Sequence, residues 1–181
     1  MSRYKSNIKN ILGYLGVIFW IFGFIILIPL VTIPFYPKQL LNISNIISFL
    51  IPSALSFFIG GLLKRTIRFK PIKGRHALIV VTLGWVCVSL IGGIPYVIQL
   101  KISFLDAFFE AISGFTTTGI TMLSGLDSMS KAILFWRSMT QWIGGLGILT
   151  LFLLLVFRSG VAHRLFSAES HKIFSKRPSP G

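Results

Sequence analysis

The fold is inferred from the stretch Phe104-Leu-Asp-Ala-Phe-Phe-Glu-Ala-Ile-Ser-Gly-Phe115, which is followed directly by Thr116-Thr-Thr-Gly-Ile-Thr121. In its first part, apolar residues recur at helical spacing, and Asp106, Glu110 and Ser113 fall on the opposite face. The pattern predicts a helix of about 11 residues, about 16 Å long, which is half the thickness of the hydrocarbon core of a bilayer. Such a helix is too short to cross a membrane by itself.

Both ends of this short helix carry their own signals. Ser103, three residues before Asp106, predicts a capping box at the N-terminus. Gly114 predicts the C-terminal stop. We therefore expect the helix to begin after Ser103 and to end at Gly114.

The sequence around this stretch is long, apolar and poor in charge. The chain has 181 residues, of which 54% are hydrophobic and only 12% charged, against about a quarter charged in a soluble domain. This composition excludes intrinsic disorder and argues against an ordinary soluble enzyme. Segments without a charged side chain cover 10–37, 39–63, 76–100 and 138–157. Because about 20 apolar residues span a bilayer core, each segment predicts a transmembrane helix.

The net charge of +14 is divided among the ends of these segments. Most basic side chains lie in three clusters, at 3–9, 64–75 and 158–177. The alternate connections hold only Lys38, Lys101 and Lys131. By the positive-inside rule, both termini and the 64–75 loop are predicted to be cytoplasmic. Because the basic residues are spread over three separate clusters, they also favour contact with anionic membrane lipids over nucleic acid binding.

The predicted fold is an all-α integral membrane protein with four transmembrane helices plus one re-entrant pore half-helix and filter loop. Lys101 and Lys131 are predicted to lie on the same outer side, so we expect the segment between them to enter the membrane and return. We expect two leading transmembrane helices with a basic cytoplasmic loop over 1–75 and a helix–pore loop–helix repeat over 76–158. The remaining residues, 159–181, are expected to form a basic cytoplasmic tail or the start of a linker.

The segment after the short helix has the composition of a cation-binding loop. The C-terminal end of a helix carries a partial negative charge, which favours a cation. An extended Thr/Gly segment can direct carbonyl oxygens at an ion in place of water, and Gly119 permits backbone angles that other residues resist. Taken alone, the pattern also fits a plain loop or a helix lying flat at the interface. The bracketing spans and the flanks on one side favour the pore loop.

Glu110 and Arg137 are the charged residues predicted to lie at membrane depth. An unpaired charge there costs several kcal/mol, so such residues usually pair and face protein. Two alternatives stay open: the two side chains pair as support for the pore helix, or Arg137 extends to the outer interface.

Two segments resemble a known family, namely 106–119 within the stretch quoted above and Leu126-Asp-Ser-Met-Ser-Lys-Ala-Ile-Leu-Phe-Trp-Arg-Ser-Met-Thr-Gln-Trp-Ile-Gly-Gly-Leu-Gly-Ile148. They are similar to the Trk/Ktr/HKT superfamily of potassium transporters, and most similar to its TrkH type. The resemblance implies a bacterial inner-membrane transporter with four helix–pore loop–helix repeats around a central pore. Each repeat supplies one filter strand centred on a glycine. The matching positions here are Thr116, Thr117, Thr118, Gly119 and Ile120.

Within that filter, the backbone carbonyls of Thr117, Thr118 and Gly119 are the best candidate ligands for the transported potassium ion. The resemblance also implies a homodimer of full-length subunits and a cytoplasmic nucleotide-binding regulatory subunit. No cofactor, metal site or catalytic residue is predicted.

The 181 residues contain one repeat, whereas a ring of carbonyls needs four strands. We expect the first part of a longer transporter or a truncated product, with the other strands supplied by further repeats or further copies. A non-conducting membrane fragment and a homotetrameric cation channel are the alternatives.

Overall fold

The computed structural model describes residues 2–36, 42–65 and 74–158. Lys38, most of the predicted basic loop and the predicted tail over 159–181 lie outside the described residues. Within the described ranges the secondary structure is helical, with no β-strand. The α-helices are α1 (Ser2–Leu27), α2 (Ile43–Lys64), α3 (Gly74–Gly92), α4 (Ile94–Leu100), α5 (Phe104–Phe115) and α6 (Lys131–Arg158). Two 3₁₀ helices, Ile28–Phe35 and Leu126–Ser128, follow α1 and precede α6.

Three stretches of the described residues are long and apolar enough to cross a membrane: Ile8–Phe35, Ile43–Lys64 and His76–Leu100. They coincide with the first three predicted spans, and the prediction of a multi-pass membrane protein is confirmed. The fourth predicted span, 138–157, lies within α6 and stays a prediction.

α1 and α2 pack as a close antiparallel pair because small residues lie at their contact. A Cβ atom on Gly16 would stand 2.7 Å from the backbone nitrogen of Lys64, and one on Gly60 would stand 2.9 Å from the Gly16 carbonyl oxygen. The Ser53 hydroxyl donates a hydrogen bond to the Gly23 carbonyl at 2.8 Å. Close approach at small residues and hydrogen bonds between helices are typical of packing inside membranes.

An aromatic cluster joins this pair to the second half of the chain. Phe22 of α1, Phe49 of α2 and Phe115 of α5 each lie against Trp136 of α6, with ring centroids 6.0, 6.3 and 6.2 Å away. Trp136 is fully buried. The last residue of α5 is thus held between α1 and α6.

The third membrane-length stretch bends where α3 meets α4. Pro95 has no backbone N–H, and the Tyr96 N–H bonds to the Gly93 carbonyl instead of the Gly92 carbonyl. The indole nitrogen of Trp136 donates to that freed Gly92 carbonyl at 3.0 Å. A side chain of α6 therefore satisfies the polar group that the bend exposes, as a bend inside a membrane requires.

Candidate functional site

The site is built on α5, whose N-terminus has the predicted cap and whose C-terminus differs from the prediction. The Ser103 hydroxyl accepts a hydrogen bond from the Asp106 N–H at 3.1 Å and donates to the Asp106 carboxylate at 2.8 Å. The helix continues through Gly114 to Phe115, so the prediction that Gly114 ends it was wrong. Gly114 serves packing instead, because a Cβ atom there would collide with the Thr140 hydroxyl of α6.

The polar face of α5 points into the protein. Glu110 and Ser113 are 3% and 5% exposed, whereas Phe104 and Leu105 are 53% and 74% exposed. This distribution is the reverse of that in a soluble protein. It is expected where the surroundings are apolar, since ionisable residues in membranes face the interior of the helix bundle.

The loop after α5 folds back sharply on the end of the helix. The N–H groups of Thr117 and Thr118 donate to the carbonyls of Gly114 and Ser113 at 2.9 and 3.0 Å. Two backbone positions are left-handed: Thr117 with φ +56° and Gly119 with φ +76°. A Cβ atom on Gly119 would meet nothing within 4 Å, so glycine is favoured there by backbone conformation and not by lack of space.

The carbonyls at the two ends of this loop are occupied by side chains of the protein. The indole nitrogen of Trp85, on α3, donates to the Phe115 carbonyl at 2.8 Å. The Ser113 hydroxyl donates to the Ile120 carbonyl at 2.6 Å. The loop is therefore fixed before and after its central residues.

The central carbonyls have no such partners. The Thr116 carbonyl accepts from the Thr117 hydroxyl at 2.7 Å. The next three carbonyls, of Thr117, Thr118 and Gly119, accept no hydrogen bond from any residue that the structure describes, and all three residues are exposed. They are the same three that the sequence indicated as candidate ion ligands, and Ile120, the last residue of the predicted filter, has its carbonyl turned to Ser113.

Glu110 and Arg137 form an ion pair, with Nε of Arg137 2.5 Å from Oε1 of Glu110. The glutamate side chain is 2% exposed and the arginine side chain 20%. Of the two arrangements that the sequence left open, the structure has the pair and not an arginine extended away from it. The pair joins α5 to the first half of α6.

Glu110 has further partners that the sequence did not predict. Its second oxygen, Oε2, accepts hydrogen bonds from the Thr121 hydroxyl at 2.9 Å and from the Met122 N–H at 3.1 Å. The carboxylate thus bonds to α6 through Oε1 and to the segment after the loop through Oε2. In the sequence, the polar face shared by Glu110 and Ser113 indicated that these side chains have partners, but it did not indicate Thr121, Met122 or Ile120.

Glycines of α6 allow this helix to pack closely against Phe115 and Trp85, at the start of the loop. A Cβ atom on Gly144 would overlap the Phe115 carbonyl, and one on Gly147 would stand 2.8 Å from the ring of Trp85. These close approaches hold the end of α5 and its indole partner in place. They give the glycines of α6 a packing role.

Among residues 2–36, 42–65 and 74–158, no group of three or more His, Cys, Asp or Glu side chains is arranged to hold a metal ion. His163 and His171 lie outside these ranges.

Comparison with known proteins finds a protein family whose members have similar sequences. The sequence profile of the TrkH family, described as cation transport protein, matches residues 42–170. An uncharacterized cation transporter of Methanocaldococcus jannaschii is 38% identical over 170 residues, covering 93% of this chain and 35% of that protein. The Trk system potassium uptake protein TrkG of Escherichia coli K12 is 32% identical over 150 residues, covering 81% of this chain and 30% of that protein. The Trk system potassium uptake protein TrkH of the same strain is 42% identical over 101 residues, covering 54% of this chain and 21% of that protein. The chain thus spans about a third or less of the length of these relatives.

Proposed function

The chain belongs to the TrkH family of cation transport proteins, and we propose that it takes part in potassium transport across the membrane by supplying one filter strand, Thr116–Ile120. One observation carries this proposal. The carbonyls of Thr117, Thr118 and Gly119 follow one another at the end of a helix, and none accepts a hydrogen bond from the described residues. Consecutive free carbonyls can replace the hydration shell of a cation.

The electrostatics of the position support a cation over an anion. The loop begins at the C-terminal end of α5, where the helix dipole places partial negative charge. The Thr116 hydroxyl donates to the Ile112 carbonyl at 2.7 Å and lies 2.8 Å from the Thr118 hydroxyl, whereas the three backbone oxygens have no partner among the described residues.

In the membrane, we propose that α5 is a re-entrant half-helix. Its 12 residues are about 18 Å long, while a bilayer core is about 30 Å thick. α6 would return across the membrane as the fourth span, with its polar first half facing the pore unit through Arg137. Both termini and the 64–75 loop would then be cytoplasmic.

A complete filter needs neighbours that this chain does not itself provide. Every residue from Thr116 to Ile120 is exposed. We propose that the other three strands of the ring come from further repeats or from further copies of the chain. A homodimer of full-length subunits and a cytoplasmic nucleotide-binding regulatory subunit belong to the same proposal, through the family resemblance alone.

Growth of a potassium-uptake-deficient bacterial strain on low potassium tests the proposal. Where further copies of the chain supply the other three strands, the 181-residue chain should restore growth, and its Gly119→Ser variant should not, because a serine at φ +76° costs about 1 kcal/mol and moves the filter carbonyls. Gly125→Ser is the matched control: it places the same residue at φ +68°, outside the filter, where the nearest atom to a Cβ is 3.5 Å away.

The outcomes separate the alternatives. Growth with the wild type and Gly125→Ser, but not with Gly119→Ser, supports the filter assignment. Equal growth with all three chains contradicts it. Growth with none of them shows that the chain by itself does not transport potassium and favours a non-conducting membrane fragment.

A further inference from the structure

The segment that leaves the filter is attached to α5 at two points. The Ser113 hydroxyl holds the Ile120 carbonyl at 2.6 Å. One helical turn earlier, Oε2 of Glu110 holds the Thr121 hydroxyl at 2.9 Å and the Met122 N–H at 3.1 Å. Later residues of the segment thus meet earlier residues of the helix, so the segment runs back along α5 in the opposite direction.

Both attachment points are shielded from water. Ser113 is 5% exposed and Glu110 is 3% exposed, so water does not compete strongly for their hydrogen bonds. The charge of Glu110 is balanced by Arg137, which takes Oε1 and leaves Oε2 for the segment. The carboxylate therefore accepts bonds in fixed directions from two elements at once.

The attachment determines which carbonyls an ion can reach. The carbonyls of Thr117, Thr118 and Gly119 have no partner among the described residues, whereas the Ile120 carbonyl is turned toward the buried Ser113. If the Ile120 carbonyl were released, it would be the fourth consecutive oxygen available along the same strand. The number and direction of such oxygens govern how a filter distinguishes potassium from sodium.

We propose that Ser113 and Glu110 are positioning residues for the filter: they fix the segment after Gly119, keep the Ile120 carbonyl away from the ion and limit the ligands to three carbonyls. This inference rests on the proposed function. Neither residue touches the ion. Each acts through a backbone group of the filter strand or of the residues that follow it.

Removal of the Ser113 hydroxyl tests the first attachment. In Ser113→Ala the Ile120 carbonyl loses its donor, and we expect sodium to inhibit rubidium uptake at a concentration about tenfold lower than in the wild type, a change of the size of one hydrogen bond. Ser56→Ala is the matched control: Ser56 on α2 is fully buried, and its hydroxyl has no partner within the described part of the chain. It should leave the sodium sensitivity unchanged.

Exchange of the two charges tests the second attachment and separates it from a merely structural role. In the double variant Glu110→Arg with Arg137→Glu, the ion pair can re-form, so we expect the amount of folded protein lost in each single variant to return. Residue 110 can then no longer accept a hydrogen bond from Met122. The sodium sensitivity should therefore stay altered, and the amides of 120–123 should exchange with deuterated water about tenfold faster than in the wild type.

Hydrogen exchange on the purified chain also keeps the inference apart from the proposed function. If the wild type takes up no rubidium, the transport proposal fails for this chain, while faster exchange at 120–123 in Ser113→Ala and in the charge exchange still supports the positioning role. Unchanged exchange in both variants overturns the inference. So does a sodium sensitivity that matches the wild type in a variant that does take up rubidium.

Discussion

Glu110 is the residue on which most of the site depends. Its carboxylate contacts the Arg137 side chain, the Thr121 hydroxyl and the Met122 N–H, and is almost fully buried. The sequence placed Glu110 and Arg137 at membrane depth because they are charges within apolar surroundings. It did not predict Thr121 or Met122, because helical periodicity says nothing about the path of the loop that returns along the helix.

Replacement of Glu110 by alanine should greatly reduce the amount of folded protein. The change leaves the guanidinium of Arg137 without its partner in a largely buried position, and such an unpaired charge costs about 3–5 kcal/mol. The measurement is the yield and melting temperature of the purified chain in detergent. Asp106→Ala, one turn earlier on the same helix, removes a carboxylate whose described partner is the exposed Ser103, and should lower the melting temperature much less. An equal loss in both variants would contradict this account.

Gly144 tests the close approach between α6 and the end of α5. A methyl group at this position would overlap the Phe115 carbonyl, so we expect Gly144→Ala to destabilise the chain by about 1–3 kcal/mol through overpacking. The measurement is the melting temperature in detergent. Gly61→Ala, on α2, is the control because nothing lies within 4 Å of its Cβ position. A Gly144→Ala variant as stable as Gly61→Ala would show that the two backbones are farther apart.

At the scale of the elements, helix boundaries were predictable where a local signal sets them. Ser103 marks the beginning of α5 because capping is a property of neighbouring residues. Gly114 does not mark its end, because the contact with Thr140 of α6 requires a glycine inside the helix. The first type of signal is visible in a single segment, whereas the second depends on a partner 26 positions away.

The bend between α3 and α4 depends on Trp136, and removal of its indole nitrogen should destabilise the chain. Trp136→Phe keeps an aromatic ring in the core but leaves the buried Gly92 carbonyl without its donor, at a cost of about 1–3 kcal/mol. The melting temperature should fall accordingly. Trp142→Phe, on the same helix, is the control because that side chain is 67% exposed. Equal melting temperatures would mean that Trp136 contributes only its ring.

At the scale of the whole molecule, the apolar segments between basic clusters predicted three membrane-length helices almost to their ends. Composition is sufficient for this because the thickness of a bilayer fixes the length of a span. The first half of α6 contacts α5 through Arg137 and Thr140, so its sequence reflects neighbours as well as the bilayer. The loop at the site has a left-handed backbone at Thr117 and Gly119, of which only the glycine was indicated by the sequence.

The proposed orientation can be tested by cysteine labelling in intact cells. In a Cys87→Ala background, a cysteine at Lys101 should react with a membrane-impermeant maleimide, because the short connection before α5 is proposed to face outward. A cysteine at Arg65, at the end of α2, should react only after the cells are opened. Both positions are exposed. Labelling of residue 65 in intact cells would reverse the proposed topology.

We propose that the carbonyls of Thr117, Thr118 and Gly119 bind the transported ion. This claim is tested by the initial rate of potassium uptake by potassium-depleted cells, divided by the amount of chain in the membrane. We predict that the wild type and Gly125→Ser take up potassium at similar rates and that Gly119→Ser reduces the rate to that of cells without the chain. A Gly119→Ser rate equal to that of the wild type, at equal amounts in the membrane, would contradict the claim.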